Sequence, residues 1–399
     1  MKDMFAVFFM LLVASPYCLC IRMIADANPN FNVMDYGAKG DGQTDDSQAF
    51  LKVWKNVCNA TGTPTLLIPQ GKTFLLQPIS FMGACNPTSI TVELQGDLVA
   101  PNSMDAWKWP DSNTNKGYWI RFSDINGLVV NGGGQIDGQG APWWKYPNNP
   151  RPVALSFHNC RGLQLINLTN INSPGGHMSV NGCNGSLFSN LHIIAPGDSP
   201  NTDGIDISSS SNVIIQHSEM RTGDDCIAIN GGSSFINVTD VACGPGHGIS
   251  IGSLGKNGAY ETVEEIHVKN CSFNGSSNGA RIKTWVGGSG YARKITFENI
   301  NFTATANPVI MDQHYDPRYA DTTNSAVKVS DVTYYQLYGT SAVENAIQLD
   351  CDNSSGCTNI VLNDINIASS DPGKKTFASC NNAHGISSSC TPAIPCLLN

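Results

Sequence analysis

Three polar residues at one constant spacing constrain what this chain can fold into. Asp203, Asp225 and His247 stand 22 residues apart, and each opens the same short pattern. The three copies read Asp203-Gly-Ile-Asp-Ile207, Asp225-Cys-Ile-Ala-Ile229 and His247-Gly-Ile-Ser-Ile251. A period of about 20–25 residues with one short strand per period marks a stacked solenoid, whereas a propeller needs about 40 residues and four strands per repeat. Successive strands in such a stack lie about 4.8 Å apart, so equivalent positions form a column up the surface. This column holds two carboxylates and an imidazole, the groups that transfer protons near neutral pH.

The remainder of the sequence agrees with an all-β stack. From Thr65 onward, short β-branched runs alternate with Gly, Asn, Ser and Pro clusters, as short strands and tight corners require. One strand type runs through Leu163–Leu168, Leu187–Leu191, Val213–Gln216, Ile236–Val238, Ile266–Val268, Ile295–Phe297 and Ile360–Leu362. A second contains the column and continues through Arg281–Lys283, Val309–Met311 and Ile347–Leu349. Asn suits the left-handed corners and the side-chain ladders of such a stack. After the opening segment Phe31–Gly42, an amphipathic helix is predicted over Thr44–Val57. Thr44 is its expected N-cap, and Phe50, Leu51, Trp54 and Val57 form its apolar face. A solenoid must cover its open end, and this helix is the expected cap. No linker interrupts the 399 residues, so one domain over residues 26–399 is expected.

The apolar run Phe5–Val13, with Lys2 before it, reads as a secretory signal within residues 1–25. It is shorter than the roughly 20 residues that span a bilayer. No later stretch reaches that length, so an exported, extracellular protein without membrane attachment is expected. Twelve of the 14 cysteines lie beyond Cys20, an even set suited to an oxidising compartment. Cys226 with Cys243 and Cys351 with Cys357 are the expected pairs, and Cys380, Cys390 and Cys396 point to a stapled tail. Without paired Cys-x-x-Cys motifs no zinc site is expected, nor any other metal or cofactor. Eight Asn-x-Ser/Thr sequons, from Asn59 to Asn353, permit glycosylation. The formal charge of −9 argues against nucleic acid as a partner.

Four local groups carry the chemistry: Asn201-Thr-Asp203, Gly223-Asp-Asp225, Gly246-His-Gly248 and Arg281-Ile-Lys283. The adjacent acids Asp224 and Asp225 repel, which favours one of them keeping its proton. Paired acids are what glycoside hydrolysis needs, one protonating the leaving oxygen and another activating water. Strict alternation would bury Asp203, Asp225 and His247 beside the core isoleucines. Unpaired buried charge is too costly for that, so all three are expected on turns just before their strands. Arg281 and Lys283 flank an inward Ile282 and are expected to project together from the outer surface. There they would make a carboxylate-binding pair, pointing to an acidic sugar.

These four groups resemble the signature motifs of the polygalacturonase family, glycoside hydrolase family 28, and the chain is most similar to its plant, cell-wall branch. The resemblance implies a single right-handed parallel β-helix that hydrolyses the α-1,4 links of polygalacturonan, a pectic polysaccharide, with inversion. It implies Asp224 as general acid, Asp203 and Asp225 as the pair that activates water, and His247 as support for the acid. Arg281 and Lys283 would hold the galacturonate carboxylate, Asn201 and Tyr315 would contact substrate, and the enzyme would act as a monomer. Rhamnogalacturonan-type hydrolases, calcium-dependent pectate lyases and a non-catalytic carbohydrate-binding β-helix are the competing readings.

Overall fold

Every strand pairing among the described residues is parallel, and each strand bonds to the one a full turn of chain away. The computed structural model describes residues 28–109, 116–315 and 325–397; the secretory-signal reading of residues 1–25 lies outside them. Two parallel systems, of 18 and 11 strands, wind into a right-handed parallel β-helix, the hand that parallel crossovers almost always take. The expected fold class is therefore the observed one.

The 22-residue period and the ladder register coincide. Ile205 pairs with Ile227 and Ile227 with Ile249, and all three are fully buried, as are Ile207, Ile229 and Ile251. Aromatic residues stack in the same manner: Phe81, Phe122 and Phe157 share one register column, with centroid separations of 4.9 and 5.6 Å. Long strands of the larger system bend where one residue adopts a left-handed conformation, as at Asn190, His217 and Asp240. Eleven of the 24 described non-glycine residues with positive φ are Asn, a residue whose short polar side chain tolerates this conformation. Ladders also form, with Asn299 Nδ2 donating to Asn270 Oδ1 at 2.8 Å.

The capping helix is present but runs from Ser47 to Asn59, three residues later than expected. Competing local bonds explain the shift. Asp41 accepts from the Thr44 amide and hydroxyl, and Asp46 accepts from the Lys39 and Gly40 amides. These bonds hold the Thr44–Asp46 segment in an extended turn. The buried face is Phe50, Val53, Trp54 and Val57, while Leu51 is 37 % exposed. Trp54 meets Phe81 at 5.1 Å and donates its Nε1 hydrogen to the Met82 carbonyl at 3.1 Å, which closes the first rung.

The disulfides differ from expectation at one pair. Cys351–Cys357 forms, Cys380–Cys396 staples the tail, and Cys58–Cys85 ties the helix end to the first rungs. Cys226 and Cys243 are instead buried free thiols. The Cys226 thiol donates to the Met220 carbonyl at 3.8 Å, and no disulfide joins the two sulfurs.

Candidate active site

The corners that lead into the 11-stranded sheet carry the acids. Asp203, Asp225 and His247 each lie in a turn two residues before a strand, the expected position, although the corner does not keep Asp225 exposed. Backbone bonds lock the corners together. The His177 amide donates to the Asp203 carbonyl at 2.7 Å, Gly204 to Asp225 at 2.8 Å, and His247 to Asp224 at 2.7 Å. The glycine before the paired acids has a steric cause: a Cβ on Gly223 would lie 1.9 Å from the Ser199 carbonyl oxygen. Gly248 combines a φ of +83° with backbone oxygens 2.4 Å from any Cβ, so only glycine permits this corner.

Asp225 is the most enclosed acid, 1 % exposed. Its Oδ1 accepts from Ser250 Oγ at 2.9 Å and from Arg281 Nη2 at 2.5 Å, and its Oδ2 accepts from Lys283 Nζ at 2.8 Å. Arg281 Nε donates to Ser250 Oγ at 2.8 Å, closing the network. The expected outward basic pair is thus corrected: Arg281 and Lys283 stand on the outer face but are buried, 9 % and 7 % exposed. They are drawn down because Asp225 needs compensating charge. Lys283 Nζ also lies 5.2 Å from the Tyr315 ring centroid, and that ring meets Trp285 edge-on at 5.4 Å.

Asp224 sits nearer the surface. Its Oδ1 is 2.8 Å from His247 Nδ1 and accepts from the Asp225 amide at 2.9 Å, while Oδ2 accepts from Asn201 Nδ2 at 3.0 Å. Burial pushes its pKa up, but the hydrogen bond and charge of His247, with Lys283 and the Asp225 amide, outweigh this and hold it below the ordinary value. Asp203 behaves oppositely. Burial, then the charges of Asp206, Asp224 and Asp225, raise it well above the usual range. Among the described residues, nothing hydrogen-bonds to its carboxylate.

Two participants were not identified from the sequence. Asp206 projects from the strand Ile205–Ser208, in register between Ser179 and Ala228. Burial and the charges of Asp225 and Asp224 raise its pKa to about 7. Its signal was an acid at the outward position between two core isoleucines. Arg151 lies on a rim loop, donating to the Pro200 carbonyl and to Asn201 Oδ1, the latter at 2.6 Å. Burial lowers its pKa while Asp203 and Asp224 oppose the change. No repeat pattern marks that residue.

All eight residues singled out by sequence therefore converge: Asn201, Asp203, Asp224, Asp225 and His247 on the corners, Arg281, Lys283 and Tyr315 on the following rungs. Asp224, Asp225 and His247 offer ligand atoms within 4.8 Å of one another, as do Asp312, His314 and Asp350. In the first set Asp225 already carries two cations, and we assign no ion to either. The first set joins an acid held by an imidazole to an acid held by two cations, with Asp203, whose pKa is raised, alongside.

Known proteins share this architecture. The family model described as Glycosyl hydrolases family 28 matches residues 58–391. A "probable polygalacturonase" of Arabidopsis thaliana is 47 % identical over 96 % of this chain and 83 % of its own length. A polygalacturonase of Persea americana is 40 % identical, over 88 % of this chain and 77 % of its own. Among solved structures, the endo-xylogalacturonan hydrolase of Aspergillus tubingensis superimposes with a TM-score of 0.77 at 25 % identity, covering 92 % of this chain and 99 % of that one. An exopolygalacturonase of Thermotoga maritima gives 0.73 at 21 % identity, covering 85 % and 87 %, which speaks to the fold.

Two outcomes follow from these environments. Asp225→Asn leaves Arg281 and Lys283 buried without their counter-charge, so denaturant unfolding should show a loss of about 3–5 kcal/mol. Asp224→Asn, whose partners remain near solvent, should lose far less. For Asp206 the folded pKa of about 7 exceeds the unfolded value of 3.8. Its contribution to stability is therefore complete below pH 3.8 and lost as pH rises through about 7. Asp206→Asn removes that titration, so its melting temperature should gain on wild type between pH 4 and 7; parallel curves would contradict the raised pKa.

Proposed function

The chain belongs to glycosyl hydrolases family 28, and from that premise we propose that it hydrolyses the α-1,4-galacturonosyl links of polygalacturonate with inversion. The observation that carries the reading is the register column itself. It brings Asp203, Asp224, Asp225 and His247 to one corner of the sheet, with Arg281 and Lys283 one to two rungs on. Relatives named polygalacturonase, at 39–47 % identity, support the substrate class. The substrate is a polyanion, and the buried cations suit it.

In this reading Asp224 protonates the departing oxygen. A bound uronate adds negative charge and excludes water beside Asp224, and both effects raise its pKa from the depressed value of the free protein. His247 and Asn201 fix the carboxyl's orientation. On substrate binding the proton favoured on Asp203 passes to Asp224; the freed Asp203 carboxylate, which has no competing hydrogen bond among the described residues, then takes a proton from water on the opposite face of the sugar. Asp225 helps hold that water through the remaining lone pair of Oδ2. Lys283 uses one of three ammonium donors on Asp225, leaving others for the substrate carboxylate beside Tyr315, and Arg281 fixes the network from below. The chemistry needs neither cofactor nor second subunit, and the three disulfides among the described residues suit an exported protein working outside the cell.

One observation favours a second assignment, with the roles of Asp203 and Asp224 exchanged: in the free protein the retained proton lies on the Asp203 side. Leaving-group dependence separates the two. Asp224→Asn should lower kcat on polygalacturonate by at least about 10²-fold with little change in KM. Much of that loss should return on an aryl galacturonide whose leaving group needs no proton. Recovery by Asp203→Asn instead would exchange the roles, and near-normal kcat in Asp224→Asn would remove Asp224 from the chemistry.

A further inference from the structure

Asp203, the base of the proposed mechanism, has a carboxylate without hydrogen bonds among the described residues, so its aim must be set through its backbone. One residue on the preceding rung does this. His177 lies in the turn before the strand Met178–Asn181, and its amide donates to the Asp203 carbonyl at 2.7 Å. The ring returns to the same oxygen, with Nδ1 3.0 Å away. Nε2 faces the Ile194 carbonyl at 3.4 Å, and the side chain is fully buried.

A neutral imidazole has one N–H and one lone pair, yet here both nitrogens face carbonyl oxygens. The shorter contact identifies the donor: the proton sits on Nδ1, and the Asp203 carbonyl accepts twice from one residue. Burial favours this neutral form, lowering the His177 pKa to about 4 against the pull of the carbonyls. The repeat alone does not require a ring here. The register that aligns Met178, Ile205, Ile227 and Ile249 puts Gly204, Cys226 and Gly248 at the equivalent positions.

The surroundings hold the same turn in place. Buried Asn170 donates its Nδ2 hydrogen to the His177 carbonyl at 3.3 Å. A Cβ on Gly176 would lie 3.1 Å from Asp206 Oδ2, so the turn packs against Asp206 as well as Asp203. On the other side of Asp203, the buried Thr202 hydroxyl accepts from the Gly223 amide at 2.9 Å, which ties this corner to the paired acids. The main chain of Asp203 is thus fixed while its carboxylate stays free.

We propose that His177 is a positioning residue: its Nδ1–H and its amide together clamp the Asp203 carbonyl and so fix the direction in which the Asp203 carboxylate meets the attacking water. The inference deepens the proposed hydrolysis and rests on it. His177 itself is buried away from substrate, but misplacing a reacting group by about 1 Å can cost about 10²-fold in rate.

The test compares His177→Asn, His177→Gln and His177→Phe on polygalacturonate, with kcat, KM and melting temperature measured for each. Asn carries an amide donor where Nδ1 stands, Gln carries one where Nε2 stands, and Phe keeps the bulk of the ring without a donor. Gln and Phe should lower kcat by about 10- to 100-fold with little change in KM, whereas Asn should restore it to within about threefold of wild type. Stability should rank differently, because Asn leaves an unfilled volume that Phe occupies. If kcat followed melting temperature across the three variants, His177 would be core packing alone. Equal kcat for Asn and Gln would show that the bond to the Asp203 carbonyl is not needed. Either result overturns the proposal, and the Asn–Gln comparison decides it should Phe fail to fold. Wild type inactive on polygalacturonate would overturn the underlying activity, a result distinct from both.

Discussion

Register is the constraint from which both the core and the site follow. Parallel strands about 4.8 Å apart force residues one period apart to lie above one another. Below the surface this stacks isoleucine on isoleucine and phenylalanine on phenylalanine, as in the fully buried Ile205, Ile227 and Ile249. At the corner the same rule stacks acid on acid, where repulsion would open the structure unless charge of opposite sign were supplied. Arg281 and Lys283 supply it from the rung beyond His247. Asp225 therefore links core and chemistry: its ion pairs compensate one buried charge and leave Asp203, Asp206 and Asp224 to share what remains.

That division of charge gives neighbouring carboxyl groups different properties. Asp225 is enclosed by cations, Asp224 is held ionised chiefly by His247, and Asp203 and Asp206 are pushed towards the protonated form. Environments that drive acid pKa values apart allow one residue type to supply both the acid and the base of a reaction. Because every member feels the others, a negative substrate entering the cleft would shift the whole set, and in the proposed mechanism this moves the proton from Asp203 to Asp224.

Much of this was legible in the sequence because the repeat and the ladder have the same period. The pattern Asp203, Asp225, His247 needed only counting, and the cost of buried charge placed those residues on corners. What stayed hidden depended on contacts that the period does not encode. Asp206 has Ala228 and Ser250 as its equivalents, so it breaks the repetition instead of announcing it. Arg151 lies on a loop, outside any repeat. Alternation showed that Arg281 and Lys283 face outward. It did not show that Asp225 lies between them, because that requires the Asp225 turn and the Arg281 strand to be seen together. The helix start was misplaced for a similar reason, since Asp41 and Asp46 bind the preceding turn.

In the proposed mechanism a water held by Asp203 and Asp225 attacks opposite a bond protonated by Asp224. Proton NMR of the first product released from polygalacturonate, recorded before mutarotation, tests it most directly. Attack by water inverts the anomeric centre, so the new reducing end must appear first as the β-anomer. An initial α-anomer would mean that a carboxylate attacks carbon itself, as in enzymes whose two acids lie only about 5–5.5 Å apart, and it would contradict the account.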